Sequence, residues 1–169
     1  MNISALGLIS LLGNKKELIG LEIGCYAGVN AKNLLDNLSI KELHGVDPYT
    51  PYVDWNGGLT CYPNDPAERV ASERLQPYSN FIKHRKTSDD AVSDFTDEMF
   101  DFIFIDGLHT YEQVLKDCQN YYSKLKPGGV FSGHDYTLIA AVKKAVDEFA
   151  ISSNKQVQLM DTDAWYWIK

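Results

Sequence analysis

Residues 100–136 read FDFIFIDGLHTYEQVLKDCQNYYSKLKPGGVFSGHDY, and the order of elements in that stretch decides the fold. Phe100 to Ile105 is an almost unbroken apolar run with β-branched and aromatic members, as expected of a strand buried on both faces, and Asp106-Gly107 stops it. From Tyr111 to Leu125 the positions Tyr111, Val114, Leu115, Cys118, Tyr121, Tyr122 and Leu125 recur at helical spacing. Lys126-Pro127-Gly128-Gly129 is expected to end that helix, because proline cannot continue it and glycine accepts the positive φ of a cap. Val130 to Gly133 then starts a new strand. A strand, crossover helix and strand joined in this way form a right-handed parallel unit. Asp106 and Asp135 are therefore expected at one sheet edge, about 5 Å apart in strand spacing. Open α/β sheets bind their ligands at that edge.

Outward from this unit the alternation continues. Glu17 to Cys25, Glu42 to Asp47 and Phe81 to Lys86 read as strands, and Ala27 to Leu38, Pro66 to Gln76, Asp89 to Phe95 and Thr137 to Ala150 as helices. Gln156 to Met160 and Trp165 to Ile168 read as a closing antiparallel hairpin, with both tryptophans packing the sheet. The fold class is α/β, a Rossmann-like three-layer α/β/α sandwich. Its expected sheet has seven strands, six parallel and Trp165 to Ile168 antiparallel.

A chain of 169 residues with 44% hydrophobic content suits one domain spanning 1–169. Residues 1–16 carry a short apolar helix over Ile3 to Leu12, capped by Ser4. No basic residues precede it and no small-residue cleavage site follows it, so it reads as core rather than as a signal. No stretch approaches the roughly 20 apolar residues of a membrane span. The formal charge of −7 gives no basic footprint for a nucleic-acid backbone. Cys25, Cys61 and Cys118 are odd in number and lack metal-ligand spacing, which suits a reducing, cytoplasmic setting. Residues 49–65, with Pro51, Trp55, Gly57, Gly58 and Pro63, exceed most strand-to-helix connections and are expected to form a substrate or lid loop.

The first strand-to-helix junction, Leu21-Glu22-Ile23-Gly24-Cys25-Tyr26-Ala27-Gly28-Val29-Asn30, lets the backbone turn tightly and presents free helix N–H groups to a ligand. Its spacing is G-x-x-x-G, not the G-x-G-x-x-G of a dinucleotide fingerprint. Glu22 would repel a diphosphate and attract an ammonium or sulfonium group. Asp47 closes the second strand where a carboxylate typically accepts from both ribose hydroxyls. Together these features favour a nucleoside-bearing cofactor without a pyrophosphate.

Glu22-Ile-Gly24-x-x-x-Gly28, Val46-Asp47-Pro48, Ile105-Asp106-Gly107-x-His109-x-Tyr111 and Lys126-Pro127-Gly128-Gly129 resemble a class I S-adenosylmethionine-dependent methyltransferase. More narrowly, the chain resembles the compact group related to metal-dependent macrolide-sugar O-methyltransferases and cephalosporin-hydroxylase-like proteins. The resemblance runs from about Glu17 onward, and its most selective parts are the D-G-x-H-x-Y string and Gly133-His134-Asp135-Tyr136. It implies that Glu22, Gly24, Tyr26, Gly28 and Asn30 line the methionine part of the cofactor, that Asp47 holds the ribose, and that Ser88 and Asp89 contact adenine. It also implies that Asp106 and Asp135 ligate a divalent metal, Mg²⁺ or Mn²⁺, and that His109 is the general base. The metal-dependent sugar methyltransferases carry an acidic residue at position 134. This chain has His134 as its candidate third ligand, which tilts metal preference toward Mn²⁺, Fe²⁺ or Zn²⁺.

The chemistry agrees with that implication. A sugar hydroxyl is a poor nucleophile at neutral pH, and a hard cation held by carboxylates lowers its pKa and orients it. The expected activity is metal-assisted O-methylation of a small-molecule hydroxyl on a sugar or other polyol, in a domain that could be a homo-oligomer. The alternatives are a metal-independent small-molecule methyltransferase and a cofactor-binding interaction module without turnover.

Overall fold

A computed structural model describes residues 4–61 and 65–169. The helix α1 (Ser4–Leu12) leads into β1 (Leu18–Ile23), α2 (Val29–Asn37) and β2 (Ile40–Val46). The expected cap at Ser4 lies outside the described side chains. Next come two short strands, β3 (Tyr52–Val53) and β4 (Leu59–Thr60), then α3 (Ala67–Leu75), β5 (Phe81–His84) and α4 (Ser88–Ala91). The deciding unit follows as β6 (Phe100–Ile105), α5 (Tyr111–Tyr121) and β7 (Leu125–Gly133), and the chain closes with α6 (Ala140–Ser152), β8 (Gln158–Leu159) and β9 (Trp165–Ile168). No helix among the described residues is long and apolar enough to cross a membrane.

The main sheet has seven strands in the order β5-β2-β1-β6-β7-β9-β8. Neighbours from β5 to β7 are parallel, β9 opposes β7, and β8 opposes β9, so six strands point one way and β9 the other. Alternation along β6 explains the three layers. Phe102 and Phe104 face one side with Leu8, Leu12, Leu34 and Leu43, while Ile103 and Ile105 face the other with Tyr121, Phe131, Val146, Trp165 and Trp167. Burying each such side chain stabilises the fold by roughly 1.5–3 kcal/mol. Gly20 on β1 makes room for this packing, because a Cβ there would lie 2.1 Å from the Phe102 ring. Trp165 and Trp167 are 0% and 1% exposed and stack at 5.1 Å, packing the sheet as their strand pattern predicts.

Several sequence-based boundaries shift, and two of the shifts have a local cause. Lys126-Pro127-Gly128-Gly129 does not separate helix from strand: α5 ends at Tyr121, a 3-10 turn covers Tyr122–Lys124, and the strand already begins at Leu125. Leu125 is fully buried and pairs with Phe100, after which Phe102 pairs with Val130, so the four residues form a bulge in which Gly128 takes φ 77°. The last crossover helix starts at Ala140 rather than Thr137. The Asp163 carboxylate accepts from the backbone N–H groups of Thr137 and Leu138, which holds them in a turn.

Register then fixes the functional edge. Ile23 pairs with both Val46 and Ile105, and Ile105 with Gly133, so the strands end level. The ladder extends one residue further, through Gly24 N–H to Val46 O (2.9 Å), Asp106 N–H to Ile23 O (2.8 Å) and His134 N–H to Ile105 O (3.1 Å). Strand order reverses between β1 and β6, the position at which open sheets leave a crevice.

Candidate active site

A cavity of about 510 Å³ occupies that crevice. Glu22, Gly24, Tyr26, Asn30, Asp47, Ser88, Asp89, Asp106 and His109 all line it. Gly28 does not. It opens α2 with φ 71°, and a Cβ there would meet Leu75 of α3 at 2.8 Å, so its contribution is a helix-helix contact. His134 and Asp135 stand beside Asp106 rather than in the cavity lining.

At one end Glu22, 1% exposed, accepts a 2.9 Å hydrogen bond from Asn30 Nδ2 through Oε1. Its Oε2 and the Asn30 Oδ1 are buried acceptors without a donor. Burial pushes the Glu22 carboxyl up to about 8, against the opposing pull of Asn30. Two buried orphan acceptors in one cavity invite a donor from a ligand. Asp47 accepts from the backbone N–H groups of Tyr26 (2.7 Å) and Tyr49 (2.8 Å), which pins its carboxylate at the cavity wall while leaving lone pairs free. Burial raises its pKa and these backbone bonds oppose the rise.

The far wall includes two residues that the sequence pattern did not single out, Gln113 and Asp117. Gln113 Nε2 lies 3.1 Å from Ser88 Oγ and 3.0 Å from Asp117 Oδ1, linking α4 to α5. Burial pushes Asp117, 1% exposed, up to about 6. A signal for it existed: Asp117 falls on the inward stripe of α5 between Val114 and Tyr121, where a carboxylate is out of place. Residues 49–65 supply Tyr52, Asp54, Thr60 and Cys61 to the lining. Within them β3 and β4 form a small antiparallel hairpin, with Tyr52 opposite Thr60 and Val53 opposite Leu59.

His109 is the most heavily charged point of the site. Its Nδ1 lies 2.9 Å from Asp54 Oδ2, and its Nε2 lies 3.0 Å from Asp135 Oδ2 and 3.6 Å from Asp106 Oδ1. Both Nε2 contacts are ion pairs rather than hydrogen bonds, the Asp135 contact being out of line and the Asp106 contact too long. Burial opposes the imidazolium, but the carboxylates of Asp106, Asp135 and Asp54 outweigh it and push the pKa to about 11. Burial holds Asp106 above the usual carboxylate range, whereas the two imidazoles draw Asp135 well below it despite its own burial. His134 is raised to about 8 by its contact with Asp135. Asp135 itself sits at φ 60°, in the left-handed region that aspartate adopts more readily than most side chains. Asp106, His134 and Asp135 each offer one ligand atom, all within 4.8 Å of one another.

The model of a family described as a methyltransferase domain matches residues 21–136, from β1 through the His134-Asp135 corner. The chain belongs to this family of methyltransferase domains. An uncharacterized protein of Acanthamoeba polyphaga mimivirus is 27% identical over 127 residues, covering 72% of this chain and 53% of the viral one. The chain thus spans about half the length of that relative. Among solved structures, the fold resembles the N-methyltransferase NodS of Bradyrhizobium japonicum WM9, with a TM-score of 0.62 at 20% identity over 96% of this chain and 90% of that one. It also resembles precorrin 8w decarboxylase of Methanobacterium thermoautotrophicum, with a TM-score of 0.67 at 15% identity over 96% of this chain and 87% of that one.

Proposed function

We propose that this domain binds S-adenosylmethionine along the ends of β1, β2 and β6 and directs its methyl group to a hydroxyl of a sugar or other small polyol, assisted by a divalent cation. The observation that carries the cofactor half is the pair of orphan acceptors, Glu22 Oε2 and Asn30 Oδ1, in the same cavity as Asp47. They suit the cationic methionine end, Asp47 suits the ribose hydroxyls, and Ser88 and Asp89 line the adenine end. Gly24 keeps the turn close: a Cβ there would lie 2.0 Å from the Asp106 carbonyl oxygen.

Two carboxylates and an imidazole fit a divalent cation, and Asp106, His134 and Asp135 would hold it. Bound there, such an ion lowers the pKa of a chelating hydroxyl and orients it. His109, whose Nε2 is not committed to a hydrogen bond, would receive the hydroxyl proton. With Asp106 and Asp135 neutralised by a cation, the imidazole would lose the charge that holds its second proton, and Nε2 would become free to act as the base. A second reading, methyl transfer without metal, is favoured by the same contact: His109 already lies between Asp106 and Asp135 as their counter-ion.

Calorimetric titration of chelator-treated protein with S-adenosylmethionine, then with Mg²⁺ and Mn²⁺, tests both halves. Micromolar cofactor binding and a metal signal that disappears in Asp135→Ala are expected. Cofactor binding without any metal signal selects the second reading, and no cofactor binding rejects the methyltransferase assignment.

A further inference from the structure

The hairpin formed by residues 50–61 is joined to the rest of the domain in an unusual way. Both of its ends turn on bulky residues in the left-handed region, Tyr49 (φ 51°) and Cys61 (φ 51°), where side chains are disfavoured. Its ladder has only two residue pairs, and Val53, Trp55 and Leu59 are exposed rather than packed. Among the described residues, the hydrogen bonds that tie this segment to other elements run through one side chain. Asp54 Oδ1 accepts from the His109 backbone N–H (3.1 Å), and Asp54 Oδ2 meets His109 Nδ1 (2.9 Å). Asp54 also serves its own hairpin, since the same Oδ1 accepts from the Trp55 N–H at 2.9 Å. With Tyr52, Asp54 and Thr60 in the cavity lining, the segment is a strap across the cavity, and among the described residues Asp54 makes its hydrogen bonds to other elements.

We propose that Asp54 is the latch of this strap, so that closing the strap over the cavity and fixing the His109 imidazole are a single event. Opening lets molecules enter or leave, and it frees the ring at the same time. Closing brings the carboxylate back to Nδ1 and leaves Nε2 directed at Asp106 and Asp135. A small antiparallel pair with few apolar contacts has little else to hold it down, which is what a gating element needs. The inference rests on the proposed function only for what the cavity holds.

Hydrogen exchange read by mass spectrometry on the full chain tests the latch without requiring any turnover. In Asp54→Ala, peptides covering residues 50–61 should exchange about tenfold faster than in the unaltered protein, while peptides from β1 and β6 keep their rates. His109→Phe keeps a ring but removes Nδ1, and it should also speed exchange in 50–61, by less, because the backbone N–H bond to Asp54 remains. The double variant should be no faster than Asp54→Ala alone. If His109→Phe leaves 50–61 unchanged, the contact of Asp54 with the imidazole does not fasten the strap, closing and fixing the ring are not one event, and the latch is wrong. His109→Leu, which likewise offers Asp54 no side-chain donor, provides the same comparison should the phenylalanine variant fail to fold. Calorimetry with S-adenosylmethionine on the same samples separates the two claims: lost cofactor binding in the unaltered protein would reject the proposed function, whereas the exchange pattern decides the latch.

Discussion

Cofactor binding should release a proton from Glu22. With its carboxyl pushed to about 8 by burial, roughly nine molecules in ten carry that proton at pH 7. A cation delivered to the empty Oε2 favours the carboxylate. If it restores the ordinary value of 4.5, close to 0.9 proton leaves per cofactor at pH 7, and the association constant rises about tenfold per pH unit between about 5 and 8. The assay is calorimetry at pH 7 in phosphate and in Tris, whose ionisation enthalpies differ widely, so that the released proton appears as a difference in apparent binding enthalpy. Glu22→Gln should remove that difference and flatten the pH profile. Tight binding with the same enthalpy in both buffers would refute the reasoning, because Glu22 would then either be charged beforehand or lie out of reach of the cation. Without cofactor the sign reverses for folding. Between pH 4.5 and about 8 the native state holds a proton that the unfolded chain has lost, so stability falls as pH rises across that window, by at most about 5 kcal/mol.

Other outcomes follow from the packing. Gly20→Ala should lower stability by about 1–3 kcal/mol in urea unfolding, because its Cβ must displace the buried Phe102 ring between β1 and β6. Trp167→Ala, in the aromatic cluster with Phe131, Phe149 and Tyr122, should cost about 3–5 kcal/mol in the same measurement. His44 and His84 stack with ring nitrogens 3.0 Å apart, and burial lowers both pKa values, with the charge of His84 depressing His44 further. Unfolded histidines take up protons before these do, so the pair should reduce melting temperature as pH falls below about 6.5, and His84→Gln should weaken that dependence.

Much of this was legible because strands buried on both faces advertise themselves. The run Phe100 to Ile105 and the aspartate that ends it located β6 and one corner of the cavity from residue type alone. Glu22, Asp47, Asp106 and Asp135 were legible for the same reason, since each stands on or just past a strand of unmistakable composition. The hairpin was not. Two-residue strands carry no periodicity, so residues 49–65 read as a long substrate or lid loop with no strands in it. The partnership of Asp54 with His109 joins residues far apart in sequence, and only the tertiary fold brings them together. Gly28 misled in another way: a glycine that opens a helix looks the same whether its missing side chain makes room for a ligand or, as here, for Leu75. Lys126-Pro127-Gly128-Gly129 looked like a helix stop because the pull of the fully buried Leu125 into register with Phe100 leaves no mark in local propensity.

The three tryptophans divide the molecule into two optical compartments. Trp165 and Trp167 lie in a dry aromatic cluster, so their emission should be blue and inaccessible to iodide. Trp55, half-exposed on the hairpin, should emit to the red and be quenched. Intrinsic fluorescence can therefore report the state of the strap and the integrity of the core separately in one cuvette, with no label attached.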